Sequence, residues 1–495
     1  LFLTSLVAGS LSGQKTELPR STDFDISPGR SFSASSGKPK TPPKKPVLYS
    51  SVLTDVSEAM SVIGKNHVGG SKLKMDGVAA SSIKEMLRSL DPHSRFYTSS
   101  EYLDLVGEHN SEYFGTGMTI AEYGTGDAFG VFVISVTPKT SAAKEGLQFG
   151  DKIVSVDGRA VAEMTAAGVR ELVRGKQGTD VHIEVERVGV TGTKTYSLRR
   201  ERIEQSTATD SFMLPNGVGY IALTQGFSFT TAAEFGASMA DLKAAGMTSL
   251  VIDLRGNGGG IFNQAVEIAE YFLPAGAIIV SQSGRNPNDT QTWRSANEAP
   301  EKMPVAVLVD GSTASASEIL AGALQDNDRA LIVGERTFGK GLVQNVYDLE
   351  SGAGIALTAA RYYTPAGRSI QRDYSDIGRY DYFQHTDKAD LIDSSATAVK
   401  TITNRTVYGG DGIAPDIKIA ANRIDQTSLS IFDSAFFFVR ERIVADSEFI
   451  AQSRIRMQNG EEIVDDSVIE KFGRFLKTDF GATIKERKAE IRERI

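Results

Sequence analysis

The sequence predicts a multidomain chain of mixed α+β and α/β class: an N-terminal helical segment, a small strand-rich domain, a layered α/β core and a C-terminal helical extension. Three observations predict it. Apolar residues recur at spacings of three and four before residue 106 and again after 425, which is a helical period. Between 113 and 203, short strand-like runs are separated by Gly-Asp and Asp-Gly turns. Between 217 and 380, apolar strand-like runs alternate with helical ones, the order expected of a layered sheet protein.

The elements follow in chain order. Leu1–Ala8, in "LFLTSLVAGSLSGQ", reads as the apolar part of a secretory signal, so 1–14 is expected to be a signal segment. Residues 15–47 are polar and rich in Ser, Pro and Lys, the composition of a tether or arm. In 48–106, "VLTDVSEAMSVIG" and "VAASSIKEMLRSL" predict two helices, the second stopped by "DPHS". In 107–203, "FGVFVISVTP", "DVHIEVERVG" and "KTYSLRRERI" predict strands. "SAAKEG" and "TAAGVRELVRG" predict short helices. In 204–424, "VGYIALTQ", "SLVIDL", "PVAVLVDG" and "ALIVGE" predict strands interleaved with three helices, and 352–363 and 405–419 are expected to return to the same sheet. Residues 372–404 read as an insertion, and 425–495 as the helical extension.

Composition removes several function classes. The net charge of -8 argues against a nucleic-acid footprint. The chain has no cysteine, which excludes disulfides, thiolate catalysis and cysteine-ligated metals. The five histidines, His67, His93, His109, His182 and His385, form no HExxH pattern, and no metal or cofactor is expected. Beyond the opening segment no run of 18 apolar residues occurs, so no further membrane span is predicted.

The chemistry concentrates in "VDGSTASASEILAGALQDNDRALIVGERTFGKGLVQ", residues 309 to 344. "GERTFGKG" approaches a phosphate loop, but Gly341 stands where a hydroxyl must meet magnesium. The following "LVQNVYDL" reads as a strand where a helix is needed. The hydroxyls of "GSTASAS" could simply cap or pack a helix start, which leaves Lys340 unexplained. As a nucleophile, a serine needs a base, and no histidine lies between Pro215 and His385. A lysine kept neutral by burial can serve. Lys340 sits in a glycine frame, and Gln344, four residues on along an extended segment, returns to its face with an uncharged amide. Acyl transfer also needs backbone donors for an oxyanion. Ala316 follows Ser315 at a strand-to-helix junction, and "DLRGNGGG" offers a second candidate. Its alternative is a tight turn at a sheet edge.

Taken together, "SLDPHSRFYTSSEY", "GTGMTI", "SAAKEGLQFGDKIVSVDG", "VIDLRGNGGG", "GSTASASEILAGALQDNDRALIVGERTFGKGLVQ", "LTAARYYTPAGRSIQ" and "GGDGIAPDIKI" resemble the C-terminal processing peptidases, or tail-specific proteases. That family consists of serine endopeptidases with a Ser-Lys dyad and a PDZ domain. The resemblance implies that 107–203 is the PDZ domain and 204–424 the protease core. It implies Ser315 as nucleophile, Lys340 as general base and Gln344 as the residue that orients the lysine. Asp326 matches a supporting acidic position, and Gly259 and Ala316 match the oxyanion donors. Gly115, Thr116, Gly117 and Met118 match the loop that holds a substrate's terminal carboxylate. The implied partners are proteins with exposed C-terminal tails, with homo-oligomers or adaptors engaged through the C-terminal helices. The signal-like opening segment predicts an extracytoplasmic location, the bacterial periplasm, free or tethered to the inner membrane by the N-terminus. Two other readings stand beside it: a catalytically silent PDZ scaffold, and a nucleotide-binding protein using "GERTFGKG".

Overall fold

The computed structural model describes residues 49–110, 112–204, 206–375, 382–383, 398–420, 426–443, 446–458 and 463–476. The expected signal segment, the tether and most of the 372–404 insertion lie outside these residues. The chain is multidomain, as its patterning predicts.

Helices α1 (Tyr49–Asn66) and α2 (Met75–Arg88) lead to strand β1 (Arg95–Tyr97) and α3 (Ser99–His109). The small domain follows with β2 (Glu112–Gly115), β3 (Met118–Tyr123), β4 (Gly130–Val136), α4 (Ser141–Glu145), β5 (Lys152–Val156) and β6 (Arg159–Ala160). It continues with α5 (Ala166–Val173), β7 (Asp180–Glu186), β8 (Thr193–Arg199) and β9 (Glu201–Glu204). Its sheet runs β3-β4-β5-β7-β8, with β6 against β5, while β2 and β9 pair as a separate ribbon. The period of two explains the packing. In β7, Val181, Ile183 and Val185 point inward, while Asp180 and His182 are exposed. These meet Val131, Val133, Ile153 and Leu198 in one apolar core, closed by Val169 of α5.

The larger core is built from β10 (Asp210–Leu214), β11 (Val218–Ala222), α6 (Thr231–Ala244), β12 (Ser249–Asp253), α7 (Phe262–Glu270), β13 (Ile278–Gly284) and β14 (Gln291–Arg294). It goes on through β15 (Val305–Val309), α8 (Ala316–Asp326), β16 (Leu331–Gly334), β17 (Leu342–Asp348), β18 (Gly354–Tyr363), β19 (Ala398–Lys400), β20 (Thr406–Tyr408) and β21 (Ile417–Lys418). One sheet has the order β10-β11-β12-β15-β16-β21, parallel from β11 onward. Its strands are short apolar runs because both faces are covered. α8 is buried along its whole length, which its "ILAGAL" centre allows.

The expectation that 352–363 rejoins this sheet is corrected. β18 forms a tight antiparallel hairpin with β17, and both belong to a second sheet of order β1-β18-β13-β14. A ten-residue apolar strand carries no directional information, and the short turn after Asp348 decides the pairing. Of 405–419, only β21 returns to the parallel sheet; β20 pairs with β19 in a separate hairpin. β1, from the N-terminal segment, is thereby knitted into the second sheet of the core.

The C-terminal helices are α9 (Gln426–Phe438), α10 (Ser447–Gln458) and α11 (Asp466–Phe475). Ile431, Phe438, Ile469 and Phe472 form their own core. α9 also leans on the small domain. Phe436 stacks on Tyr123 with ring centres 3.9 Å apart, and Arg440 Nε donates to the Gly150 carbonyl at 2.7 Å.

Candidate active site

Parallel α/β sheets present their loops for chemistry at the carboxyl ends of their strands. Here two such loops come from neighbouring strands, β12 and β15, so they lie side by side. Asp310 joins them: its carboxylate accepts Ser312 N–H at 2.9 Å, Thr313 N–H at 3.0 Å and Gly256 N–H at 3.0 Å. Thr313, fully buried, donates its hydroxyl to the Leu254 carbonyl at 2.8 Å, and Ala314 N–H donates to the Asn257 carbonyl at 2.9 Å.

Out of this frame the chain turns sharply at Ser315, with φ 58° and ψ -119°, and enters α8 at Ala316. A non-glycine residue in that region stores backbone strain and persists only where its surroundings over-determine it. The same kind of strained strand-to-helix turn projects nucleophilic serines in other folds. Ala316, the first residue of α8, has no intrahelical acceptor for its N–H. It directly follows the Ser315 turn.

The second expected donor differs. Gly259 N–H donates to Asn257 Oδ1 at 2.8 Å and is therefore engaged. What Gly259 supplies is closeness. Its φ is +97°, and a Cβ there would lie 2.7 Å from the Ala314 carbonyl oxygen, 2.7 Å from Ser315 Cβ and 2.9 Å from Ala316 N. Gly259→Ala is expected to displace the Ser315 turn and to lower kcat/KM by about a hundredfold. Binding of a tail peptide, measured separately, should be unchanged.

Two buried groups that the sequence reading overlooked bracket the Ser315 and Lys340 backbones. Glu318 lies in the first turn of α8 and is fully buried. Its Oε2 accepts the N–H groups of Ser315 and Lys340, both at 2.8 Å. Its Oε1 accepts Gly339 N–H at 2.8 Å and the Thr337 hydroxyl at 2.6 Å. Burial pushes this carboxyl above its usual range, and the four donors pull it back. The Tyr362 hydroxyl, on β18, lies 3.0 Å from the Ser315 carbonyl and 2.6 Å from the Lys340 carbonyl. Glu318 had a local signature, since Ser-x-x-Glu at a helix start is the capping-box spacing. Tyr362 had none.

Lys340 is partly buried. Among the described residues no carboxylate lies within ion-pair reach of its ammonium, and no hydrogen bond joins Nζ to Ser315 Oγ. Its pKa is pulled down to about 8, first by burial and then by the positive charge of Arg95, against the opposing charges of Glu318 and Asp91. Gln344 donates Nε2 to Thr358 Oγ1 at 3.3 Å and makes no hydrogen bond to Lys340 among the described residues. The expectation from strand periodicity does not carry across Lys340, because β17 begins at Leu342. A bulge at Ala359 sets the partner: Val343 faces Ala360 and Gln344 faces Thr358, leaving Ala359 as the extra residue.

Asp326 lies at the other end of α8, about 16 Å from Ser315 by helical rise. Its carboxylate meets Arg368 Nη2 at 2.6 Å in a pair with no exposure, and takes Ala366 N–H at 3.0 Å. The structure does not bring it to the dyad. Asp326→Ala is expected to cost about 3–5 kcal/mol of stability, because it leaves a buried guanidinium uncompensated. Denaturant unfolding checks this.

The loop Gly115–Met118 joins β2 to β3. The Thr116 carbonyl accepts Ala142 N–H at 3.0 Å and the Gly117 carbonyl accepts Thr137 N–H at 2.7 Å. Gly117 has φ +83°, and a Cβ there would strike Thr140 at 2.3 Å. β3 stands at the end of its sheet with α5 beside it. That leaves an edge to which an extended chain can add.

Residues 217–377 match the model of "Peptidase family S41", and residues 108–186 match "PDZ domain". A "Carboxyl-terminal-processing protease" of Synechocystis sp. is 36% identical over 296 residues, covering 59% of this chain and 68% of that protein. A "Carboxyl-terminal-processing protease" of Picosynechococcus sp. is 34% identical over 303 residues, covering 61% and 72%. The "C-terminal processing peptidase, chloroplastic" of Tetradesmus obliquus is 36% identical over 305 residues, covering 59% of this chain and 65% of its own, so the match spans just under two thirds of that relative. The β-rich small domain, the α/β core with its strained serine and these matches converge: the chain belongs to the C-terminal processing peptidases of peptidase family S41 and carries a PDZ domain.

Proposed function

We propose that the protein is a serine endopeptidase that captures C-terminal tails of other proteins through its PDZ domain and cleaves them with a Ser315–Lys340 dyad. The observation that carries this reading is the state of Lys340. Its pKa is drawn down to about 8 by burial, it has no ion-pair partner among the described residues, and its backbone is bracketed to that of Ser315. Neutral Lys340 Nζ takes the Ser315 proton as Oγ attacks the scissile carbonyl. The Ala316 N–H steadies the resulting oxyanion. The lysine then gives its proton to the leaving amine, and water releases the acyl-enzyme by the same path in reverse. Gln344 serves as the lysine's orienting group. In the small domain, backbone N–H groups of Gly115–Met118 receive the substrate's terminal carboxylate, and β3 takes its chain as an added strand.

No helix among the described residues is long and apolar enough to cross a membrane. The apolar stretch "LFLTSLVA" supports placement outside the cytoplasm. The C-terminal helices are the proposed assembly or adaptor surface.

The test is cleavage of a protein carrying an apolar C-terminal tail by the native chain, Ser315→Ala and Lys340→Ala. Both variants are expected to be inactive, and undiminished cleavage by either would sink the dyad. The same substrate with its C-terminus amidated should be cleaved less efficiently through a raised KM. An unchanged KM would remove carboxylate capture from the reading.

A further inference from the structure

The turn after the N-terminal helices reaches into the second sheet behind Lys340. β1 covers one edge of β18 as far as Ala356, and β13 takes over at Ala360. In the gap between them the Thr358 N–H donates to Ser94 Oγ at 3.1 Å. Ser94 Oγ donates in turn to Asp91 Oδ2 at 2.6 Å. Asp91 Oδ1 accepts the N–H groups of His93 and Ser94 at 2.8 and 2.7 Å. The Thr358 hydroxyl lies 3.5 Å from Ser94 Oγ. Burial pushes that carboxyl up, but the hydrogen bonds from Ser94 and His93 outweigh it and hold it below the usual range.

An ionised carboxylate only accepts. Ser94 therefore commits its one hydroxyl proton to Asp91, so the proton on the Ser94–Thr358 contact comes from Thr358, whose oxygen is left to accept from Gln344. Gln344 meets it with Nε2 at 3.3 Å, and the carboxamide is fixed with Oε1 as its free end. Oε1 is an acceptor, the kind of group that can hold an N–H of Lys340 while the nitrogen lone pair points elsewhere. The chain Asp91–Ser94–Thr358–Gln344 thus has one polarity, set at its buried end. We infer that Asp91, Ser94 and Thr358 are positioning residues for the Lys340 base, acting through the carboxamide of Gln344. The inference rests on the dyad reading above.

Arg95, exposed and next to Ser94 in this turn, adds a charge near Lys340; the other charges that act on the lysine are Glu318 and Asp91. Its removal should let the lysine hold its proton more firmly.

The experiment measures kcat, KM and the pH profile of tail cleavage for the native chain, Ser315→Ala, Thr358→Val, Thr358→Ser and Arg95→Gln. Thermal unfolding confirms that each variant is folded. Thr358→Val is expected to lower kcat about ten- to a hundredfold with little change in KM. Thr358→Ser, which keeps the hydroxyl, should restore most of it. Arg95→Gln should move the rising limb of kcat/KM to higher pH, and high salt should shrink the difference from the native chain. If Ser315→Ala is inactive while Thr358→Val keeps the native kcat and pH profile, the positioning role is overturned and the dyad stands. Equal losses in Thr358→Val and Thr358→Ser would mean a packing defect and also overturn it. Cleavage by Ser315→Ala would overturn the dyad itself.

Discussion

Lys340→Ala is expected to lower kcat/KM by about a thousandfold or more, the scale of losing a general base that also returns the proton to the leaving group. Lys340→Arg should not rescue it, because a guanidinium stays protonated throughout the accessible pH range. The native enzyme should show the reason in its pH profile. The base works only when neutral, and its pKa is drawn down to about 8. Activity should therefore rise with pH through a limb centred near 8, be small at pH 6 and level off above about 9. The lysine is a charge held away from water without an ion-pair partner among the described residues, so its removal should leave stability unchanged or raise it. Thermal unfolding of Lys340→Ala separates this from inactivation by misfolding. A pH-independent kcat/KM between 6 and 10 would contradict the assignment.

Glu318 should be equally intolerant, for a different reason. Its two oxygens receive four donors in a fully buried setting, three of them backbone N–H groups. Glu318→Ala leaves those donors unmet, at about 1–3 kcal/mol for each that water cannot reach. Glu318→Gln is nearly isosteric, yet it places an NH2 where two of the donors already point. Both variants are expected to lose about 3 kcal/mol or more of stability. They should also lose activity beyond what unfolding explains, because the strained Ser315 turn is held by that bond. Denaturant titration together with kcat measured well below the unfolding transition checks both parts. Glu318→Gln with native stability would show that the site does not need an acceptor-only group.

Much of this was legible in the chain. Alternation in "DVHIEVE" and the apolar runs "SLVID" and "VAVLV" report period and burial directly, and the helix-strand order implies a layered sheet. The shortage of histidine and the glycine frame around Lys340 point to the proposed Ser315–Lys340 pair from the sequence. What escaped was whatever depends on pairing. β18 and β17 look like any apolar strands, and only their hairpin sends them to a second sheet. The bulge at Ala359, which turns Thr358 toward Gln344, has no composition of its own. Gly259 was expected as an oxyanion donor, but the capture of its N–H by Asn257 depends on a side-chain contact two residues away. Tyr362 reaches both bracketed residues only because β18 crosses beneath them.

The double bracket made by Glu318 and Tyr362 has a kinetic meaning. Ser315 and Lys340 stand 25 residues apart in sequence, yet their main chains are tied at both the N–H and the carbonyl side. Drawing the two loops apart would break a buried carboxylate's bonds and a buried phenol's together. Moving those loops apart would thus be slow and costly, whereas rotating the lysine's own side chain is a matter of single torsions. For the proposed Ser315–Lys340 dyad, control is therefore expected at the torsions of Lys340 and at the approach of substrate, with the two backbones behaving as one rigid part.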